Sequence, residues 1–421
     1  TKRGIDKDKA VEVFDLMAKF ADYGFNKSHA AAYALVSYQT AWMKANHPVA
    51  FLAGCMSLAR EKTEKLAALR QEAERMGIKV LPPDVNKSEA DFCVETLPDG
   101  THGIRYALAA IKKVGFSAME ALVATRGGKP FKTLADFAMR IDPKQINRMQ
   151  MENLAKAGAF ECLDKNRARA YKSADTILRR AQSQAQEAAV GQIGLFGGAG
   201  HVEPLRLVDG PDWPEFERLA MEAEAVGFHM TAHPLDAYGP VLRRMGVTKS
   251  SGLLAAAEAG VGRVSIAGCV VDKKERPTRT GNKMAWVRLS DATGGCEVTL
   301  FSEVLTRVRD ILTAGTAVLV KADLKLEGEA LRITASDVLD LETAAAQSQS
   351  EMRVWIEKEE ALAQLCEILN TQRGGPGRIT LMPGMDETCD VEVRLKGGYK
   401  VTPLLGQRLK TLPGISRIEQ V

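Results

Sequence analysis

The chain has 421 residues, is 45% hydrophobic and 26% charged, and carries 57 Lys and Arg against 53 Asp and Glu, a formal net charge of +4. That is the composition of ordinary globular protein, long enough for three or four domains of about 100–150 residues, with too small a cationic excess to argue for nucleic acid alone. The seven cysteines, Cys55, Cys93, Cys162, Cys269, Cys296, Cys366 and Cys389, are scattered and never spaced CxxC; they exclude a disulfide framework and a zinc ribbon and read as reduced thiols. No apolar run approaches the ~20 residues that span a bilayer, and no signal-peptide pattern opens the chain, so we expect a cytoplasmic location. The first residue is Thr1 rather than Met, and we expect a fragment.

Residues 6–21 predict an amphipathic helix with Val11, Phe14, Met17, Ala18 and Ala21 on one stripe. The stretch Tyr23-Gly-Phe-Asn-Lys-Ser-His-Ala-Ala-Ala-Tyr-Ala-Leu-Val-Ser-Tyr-Gln-Thr-Ala-Trp-Met-Lys-Ala-Asn-His-Pro48 predicts a second helix that ends at the proline. Ala31, Leu35, Tyr38 and Trp42 recur at helical spacing, which predicts a packed face; Tyr33, Ser37, Thr40 and Lys44 form a polar one. Ser28 is a candidate cap. Asn26, Lys27, Ser28 and His29 gather at a helix start, where free N–H groups and partial positive charge suit an anion such as a phosphate. The same spacing equally describes a capped core helix with a solvated Lys27.

Helices are expected within Phe51–Arg60 and Glu61–Met76, then a strand after Gly77 and a hairpin of strands through Ala90–Glu95 and Thr101–Leu108, turning at Pro98-Asp-Gly100. Residues 106–126 read as helix, tight turn at Lys113-Val114-Gly115, helix: a helix–hairpin–helix element. Such a turn grips phosphates through backbone N–H groups without reading bases. Lys112 and Lys113 add charge, and Ser117 is a candidate cap. Lys113 stands where this pattern usually has Gly, and a turn needing positive φ there is strained; a hairpin that only packs is the alternative. A degenerate second copy is expected from Leu134 to Phe160.

Residues 165–189 predict one long helix bearing Arg167, Arg169, Lys172, Arg179 and Arg180. Next, Gly191-Gln-Ile-Gly-Leu-Phe-Gly-Gly-Ala-Gly200 has six small residues in ten, so no local core shelters Ile193, Leu195 and Phe196; a partner's pocket, or a loop folding them inward, does so. His229 and His233 follow, read as structural because no Cys or acidic ligand set lies nearby in sequence. Residues 262–342 predict three strands, a helix and two strands, the order of an OB-type barrel. Lys273, Lys274, Arg276, Arg279 and Lys283 make its first hairpin basic, and Trp286 is the aromatic available to stack on a base; a scaffold role is the alternative. Residues 344–350 read as a polar linker to a small α+β unit.

Phe25-Asn-Lys-Ser-His-Ala-Ala-Ala-Tyr followed by Tyr38-Gln-Thr-Ala-Trp-Met-Lys resembles the fingers of bacterial DNA polymerase III alpha subunits, the family C replicative polymerases. The resemblance extends over the whole chain. It implies a multidomain α+β protein: helical fingers (1–105), a helix–hairpin–helix domain (106–240), an OB-fold domain (241–343) and a small C-terminal α+β domain (344–421). It implies that Asn26, Lys27, Ser28 and His29 contact nucleotide or template, and that Lys112, Lys113, Val114, Gly115 and Ser117 hold duplex DNA. Lys273, Lys274, Lys283 and Trp286 are expected to meet a single-stranded template. Gln192-Ile-Gly-Leu-Phe196 is similar to the peptide with which these subunits hold the beta sliding clamp, giving Gln192, Leu195 and Phe196 that role, and residues 344–421 are expected to meet the tau subunit of the clamp loader. The family's polymerase activity uses Mg2+ in a palm, and no paired-carboxylate motif here resembles that two-metal site; no catalytic residue, resident metal or cofactor is assigned to these residues. A DNA-repair scaffold built from the same modules is the runner-up reading, and a hydrolase with an unrecognised site the third.

Overall fold

The structure, a computed structural model, describes all residues except 1–3, 5, 23–26, 191–204, 278–282, 329, 385–390 and 421, and not the side chains of 20–22, 27, 28 and 188–190. It is a mixed α+β protein, as expected: a helical region, a closed barrel and a smaller sheet follow one another along the chain. No helix among the described residues is long and apolar enough to cross a membrane.

The first two helices, Lys7–Asp22 and Lys27–Asn46, form where predicted, and Pro48 opens the next helix, Pro48–Leu58. The packed face expected on the second does not appear. Leu35, Tyr38 and Trp42 are 59, 66 and 49% exposed, and Phe14 and Met17 of the first helix are as open. The side of the second helix that does reach a neighbour is the polar one, where Lys44 Nζ meets Glu72 Oε1 at 2.7 Å. Helical spacing dictates which residues share a face; whether anything covers that face is a tertiary matter.

From Leu52 onward a continuous core begins. It runs through Met56, Leu66, Ile104, Tyr106, Met119, Phe137 and Phe160 to Met230, and so crosses the division expected at residue 105. Beside it, β1 (Val80–Leu81), β2 (Cys93–Thr96) and β3 (His102–Arg105) make a three-stranded sheet in the order β1-β3-β2, with the predicted hairpin between β2 and β3. The predicted helix over 165–189 is divided at Ser173 into Arg167–Lys172 and Ala174–Val190, and there the wholly buried Ser173 hydroxyl accepts the Val208 N–H at 2.9 Å. Arg167, one of the basic residues of that predicted helix, is buried against Glu161 (2.6 Å) and Glu222 (3.0 Å).

The barrel comprises β4 (Arg263–Pro277), β5 (Lys283–Asp291), β6 (Gly294–Leu300), β7 (Ala317–Glu327) and β8 (Ala330–Asp340), closed in the order β4-β5-β6-β8-β7 with the Ser302–Val308 helix between β6 and β7. Alternation builds it: Ala285, Val287 and Leu289 of β5 point into the core while Met284, Trp286 and Arg288 face outward. The expected linker differs from a loose tether, since Leu341–Ala346 is a helix whose Ala344 and Ala345 are buried against Leu235 and Tyr238. A final four-stranded sheet, order β11-β10-β9-β12, uses β9 (Glu351–Ile356), β10 (Arg373–Pro383), β11 (Val393–Arg394) and β12 (Ile415–Gln420), packed on the Ala361–Thr371 and Pro403–Lys410 helices.

Candidate nucleic-acid interface

The turn at Lys112–Gly115 is the sharpest local feature of the helical region. Lys113 has φ 62°, the one positive φ on a non-glycine residue among those described, so the strain expected from a lysine in a glycine position is present. The turn is held from both sides. Val114 is buried, the Val114 N–H donates to the Ile111 carbonyl at 3.2 Å, and the Lys112 N–H donates to the Ala225 carbonyl at 2.8 Å. Gly227, with φ +101°, closes the Glu215–Val226 helix beside it; a Cβ there would stand 2.2 Å from Thr63 Cγ2 and 3.1 Å from Lys112 Cε.

Gly115 caps the following helix, Phe116–Arg126, and no side chain does so. Ser117, expected as that cap, lies inside the first turn and is exposed. The first N–H groups of such a helix have no partner within it, and here they stand with exposed Lys112, Lys113 and Gly115. Neither lysine has an ion-pair partner among the described residues. The element before the turn is shorter than predicted: Leu108–Ala110 is a single 3-10 turn, with Ala107 and Ile111 extended on either side. Burial explains it, since Tyr106, Ala107, Leu108, Ala110 and Ile111 all point into the core, and an α-helix cannot turn successive residues to one side.

The second copy is also present as helix, loop, helix: Leu134–Arg140 and Arg148–Lys156. Asn147 caps the latter by accepting the Gln150 N–H at 2.9 Å, while Gln150 Oε1 accepts the Asn147 N–H at 2.8 Å. Gln150 Nε2 faces Gly115, where an added Cβ would meet it at 3.4 Å, so the two hairpins adjoin. Around this second helix start opens a cleft of about 480 Å³ bordered by Lys144, Arg148 and Arg179. Arg148 is tied there to Glu152 and Asp175, each at 2.7 Å. Lys144 and Arg148 were not singled out from the sequence, unlike Arg179; the Asn147-x-x-Gln150 capping pattern was the available signal.

On the barrel, cross-strand register brings two of the expected residues, Lys274 and Trp286, to one outer face. Lys274 pairs with Trp286, and Trp286 with Thr299. Trp286 is half-buried, Lys274 and Lys283 are exposed, and the Arg276 guanidinium lies 5.8 Å from the centre of the Trp286 ring. Lys273 points the other way: its Nζ lies 3.5 Å from Glu275 and donates to the Arg309 carbonyl at 3.3 Å. Arg279 lies outside the described residues.

Of the residues expected to contact nucleotide or template, Asn26 lies outside the described residues. Lys27 and Ser28 sit in the first turn of the Lys27–Asn46 helix, and exposed His29 meets Tyr33 with ring centres 4.8 Å apart and ring planes tilted by 50°. Ser28, expected as a cap, is thus one residue inside the helix. Gln192, Leu195 and Phe196 also lie outside the described residues. His229 and His233, read as lacking a cysteine nearby, have one in space: their ring nitrogens and Cys269 Sγ lie within 4.8 Å of one another.

Residues 77–170 match the family described as the Helix-hairpin-helix motif, and residues 264–341 match the OB-fold nucleic acid binding domain. The chain is 41% identical over 425 residues to DNA polymerase III subunit alpha of Caulobacter vibrioides, covering 100% of this chain and 37% of that protein. The subunit of Neisseria meningitidis serogroup A is 36% identical over 98% of this chain and 36% of its own length. That of Escherichia coli K12 is 33% identical over 100% of this chain and 36% of its own length. The chain spans little more than a third of these relatives, and across that span it belongs to the DNA polymerase III subunit alpha family.

Proposed function

We propose that these residues are the part of a replicative polymerase alpha subunit, from the fingers to the C-terminal region, that holds DNA and partner proteins while a palm outside them supplies the chemistry and its Mg2+. In this reading the Lys112–Gly115 turn grips duplex backbone without sequence preference, and the Lys274–Trp286 face of the barrel follows the single-stranded template. The start of the Lys27–Asn46 helix meets nucleotide or template. Gln192, Leu195 and Phe196 dock on the beta sliding clamp, and residues 344–421 meet the tau subunit. The observation that carries the reading is identity to alpha subunits along the whole chain. The phosphate-gripping turn, with two uncommitted lysines on a strained backbone, adds a physical support.

The test uses the full chain with purified clamp and a primed duplex. Leu195→Ala with Phe196→Ala is expected to abolish clamp binding, because burying two such side chains offers roughly 1.5–3 kcal/mol each before ordering costs. DNA affinity and thermal midpoint are expected to stay within error of the parent. A markedly lower midpoint would place both side chains in the core and remove the clamp assignment.

A further inference from the structure

Where the helical region hands over to the barrel, three soft or borderline donors converge. His229 follows the glycine that ends the Glu215–Val226 helix, His233 caps the short Pro234–Tyr238 turn, and Cys269 lies in β4. Their donor atoms fall within 4.8 Å of one another, and the two imidazoles meet edge to face with centres 5.0 Å apart. His229 Nδ1 is buried without a hydrogen-bond partner. With Nδ1 free of other partners, His229 can present it to a metal once the ring proton sits on Nε2. His233 Nδ1 accepts the Leu235 N–H at 3.2 Å, so Nε2, 3.3 Å from Ser290 Oγ, is the nitrogen free to ligate. Cys269 and His233 are buried. Nearby carboxylates are spoken for: Asp236 accepts the His233 N–H at 2.8 Å, and Asp291 accepts the Ser250 N–H and hydroxyl.

We propose that His229, His233 and Cys269 bind a zinc-class divalent ion, with water in the fourth position, and that this ion clasps the helical region to the barrel. Two imidazoles and a thiolate select a borderline ion over Mg2+ or Ca2+. Tetrahedral zinc with bonds of about 2.0–2.3 Å needs its ligands somewhat closer than they stand, a change that side-chain rotation supplies. On binding, the Cys269 S–H bond breaks, its proton leaves to solvent and a metal–sulfur bond forms. The His233 proton moves from Nε2 to Nδ1, which gives up the bond from the Leu235 N–H, and Ser290 Oγ is released. One thiolate leaves a single positive charge on the site, which Asp236 and Asp291 face electrostatically.

Chelator-stripped full chain is titrated with cobalt(II) as the probe. The expected result is a thiolate-to-cobalt charge-transfer absorption in the near ultraviolet that saturates at equimolar metal, lost in Cys269→Ser and kept in Cys296→Ser. His229→Gln is expected to weaken cobalt binding at least about tenfold. The thermal midpoint of the unsubstituted chain should rise with zinc and fall back with chelator, a readout that needs no variant and stands if Cys269→Ser misfolds. No charge-transfer band in the unsubstituted chain, or an undiminished band in folded Cys269→Ser, overturns the proposal.

Discussion

The Lys112–Gly115 turn and the β4–β5 ribbon of the barrel both look cationic, yet they hold their charge differently. The turn leaves Lys112 and Lys113 exposed and without an ion-pair partner among the described residues, on a backbone at φ 62° at Lys113. The ribbon interleaves charges of both signs. Lys274 lies 3.8 Å from Asp272, Lys273 lies 3.5 Å from Glu275, Arg309 also pairs with Glu275, and Arg288 reaches across to Glu64 at 2.9 Å. Phosphate binding gains from releasing counterions around charges that are free to be neutralised. A cation already facing a carboxylate offers less of that. In the proposed function the turn therefore supplies the non-specific electrostatic grip, and the ribbon the contact through Trp286, with Arg276 beside it.

The largest expected effect tests what supports the turn. Glu222 accepts from Arg167 Nη1 at 3.0 Å, from the Met230 and Thr231 N–H groups and from the Thr231 hydroxyl, all in a buried pocket of the helix that also carries Ala225. Glu222→Ala leaves Arg167 with Glu161 alone of its two acidic partners and takes the acceptor from the Met230 and Thr231 N–H groups, and we expect a loss of about 3–5 kcal/mol in urea unfolding, with duplex affinity falling alongside it. Retained stability would detach the turn from that network. Next, Trp286→Ala should cost about 1–3 kcal/mol of single-strand affinity, measured by anisotropy, while duplex affinity holds; equal losses on both substrates would erase the distinction between the regions.

Lys112→Glu with Lys113→Glu should weaken duplex binding by about tenfold across unrelated sequences and reduce the salt slope by about 2, roughly one for each lost phosphate contact. The paired Lys273, changed to Ala, provides the control that should move neither quantity. Smallest is Lys113→Gly. Left-handed backbone costs a lysine about 1–2 kcal/mol, against which glycine's extra chain entropy weighs about 0.5–1 kcal/mol. Thermal unfolding should show stability unchanged or raised by up to about 1 kcal/mol, while the salt slope drops by about 1. A destabilised Lys113→Gly would mean the side chain, not the backbone, shapes the turn.

Much of this was readable from residues alone, for reasons that differ from element to element. The barrel's strand order was legible because period-two alternation such as Ala285, Val287, Leu289 leaves few alternatives. The positive φ at Lys113 was legible because a tight turn has a geometric demand whatever residue fills it. The stretch from Tyr106 to Ile111 misled: its alanines favour helix, but its complete burial overrode propensity. The burial of Arg167 was not legible from the sequence, because its buried partner Glu222 is 55 residues away. Cys269 joined His229 and His233 only through the fold, which lays β4 against the Pro234–Tyr238 turn.

The open apolar side of the Lys7–Asp22 and Lys27–Asn46 helices has a colloidal consequence. Phe14, Leu16, Met17, Leu35, Tyr38 and Trp42 offer neighbouring molecules in solution a surface that water wets poorly. A preparation of these 421 residues should therefore self-associate as its concentration rises. Because the attraction is hydrophobic, added sulfate should drive the association further, whereas it should loosen the grip on DNA.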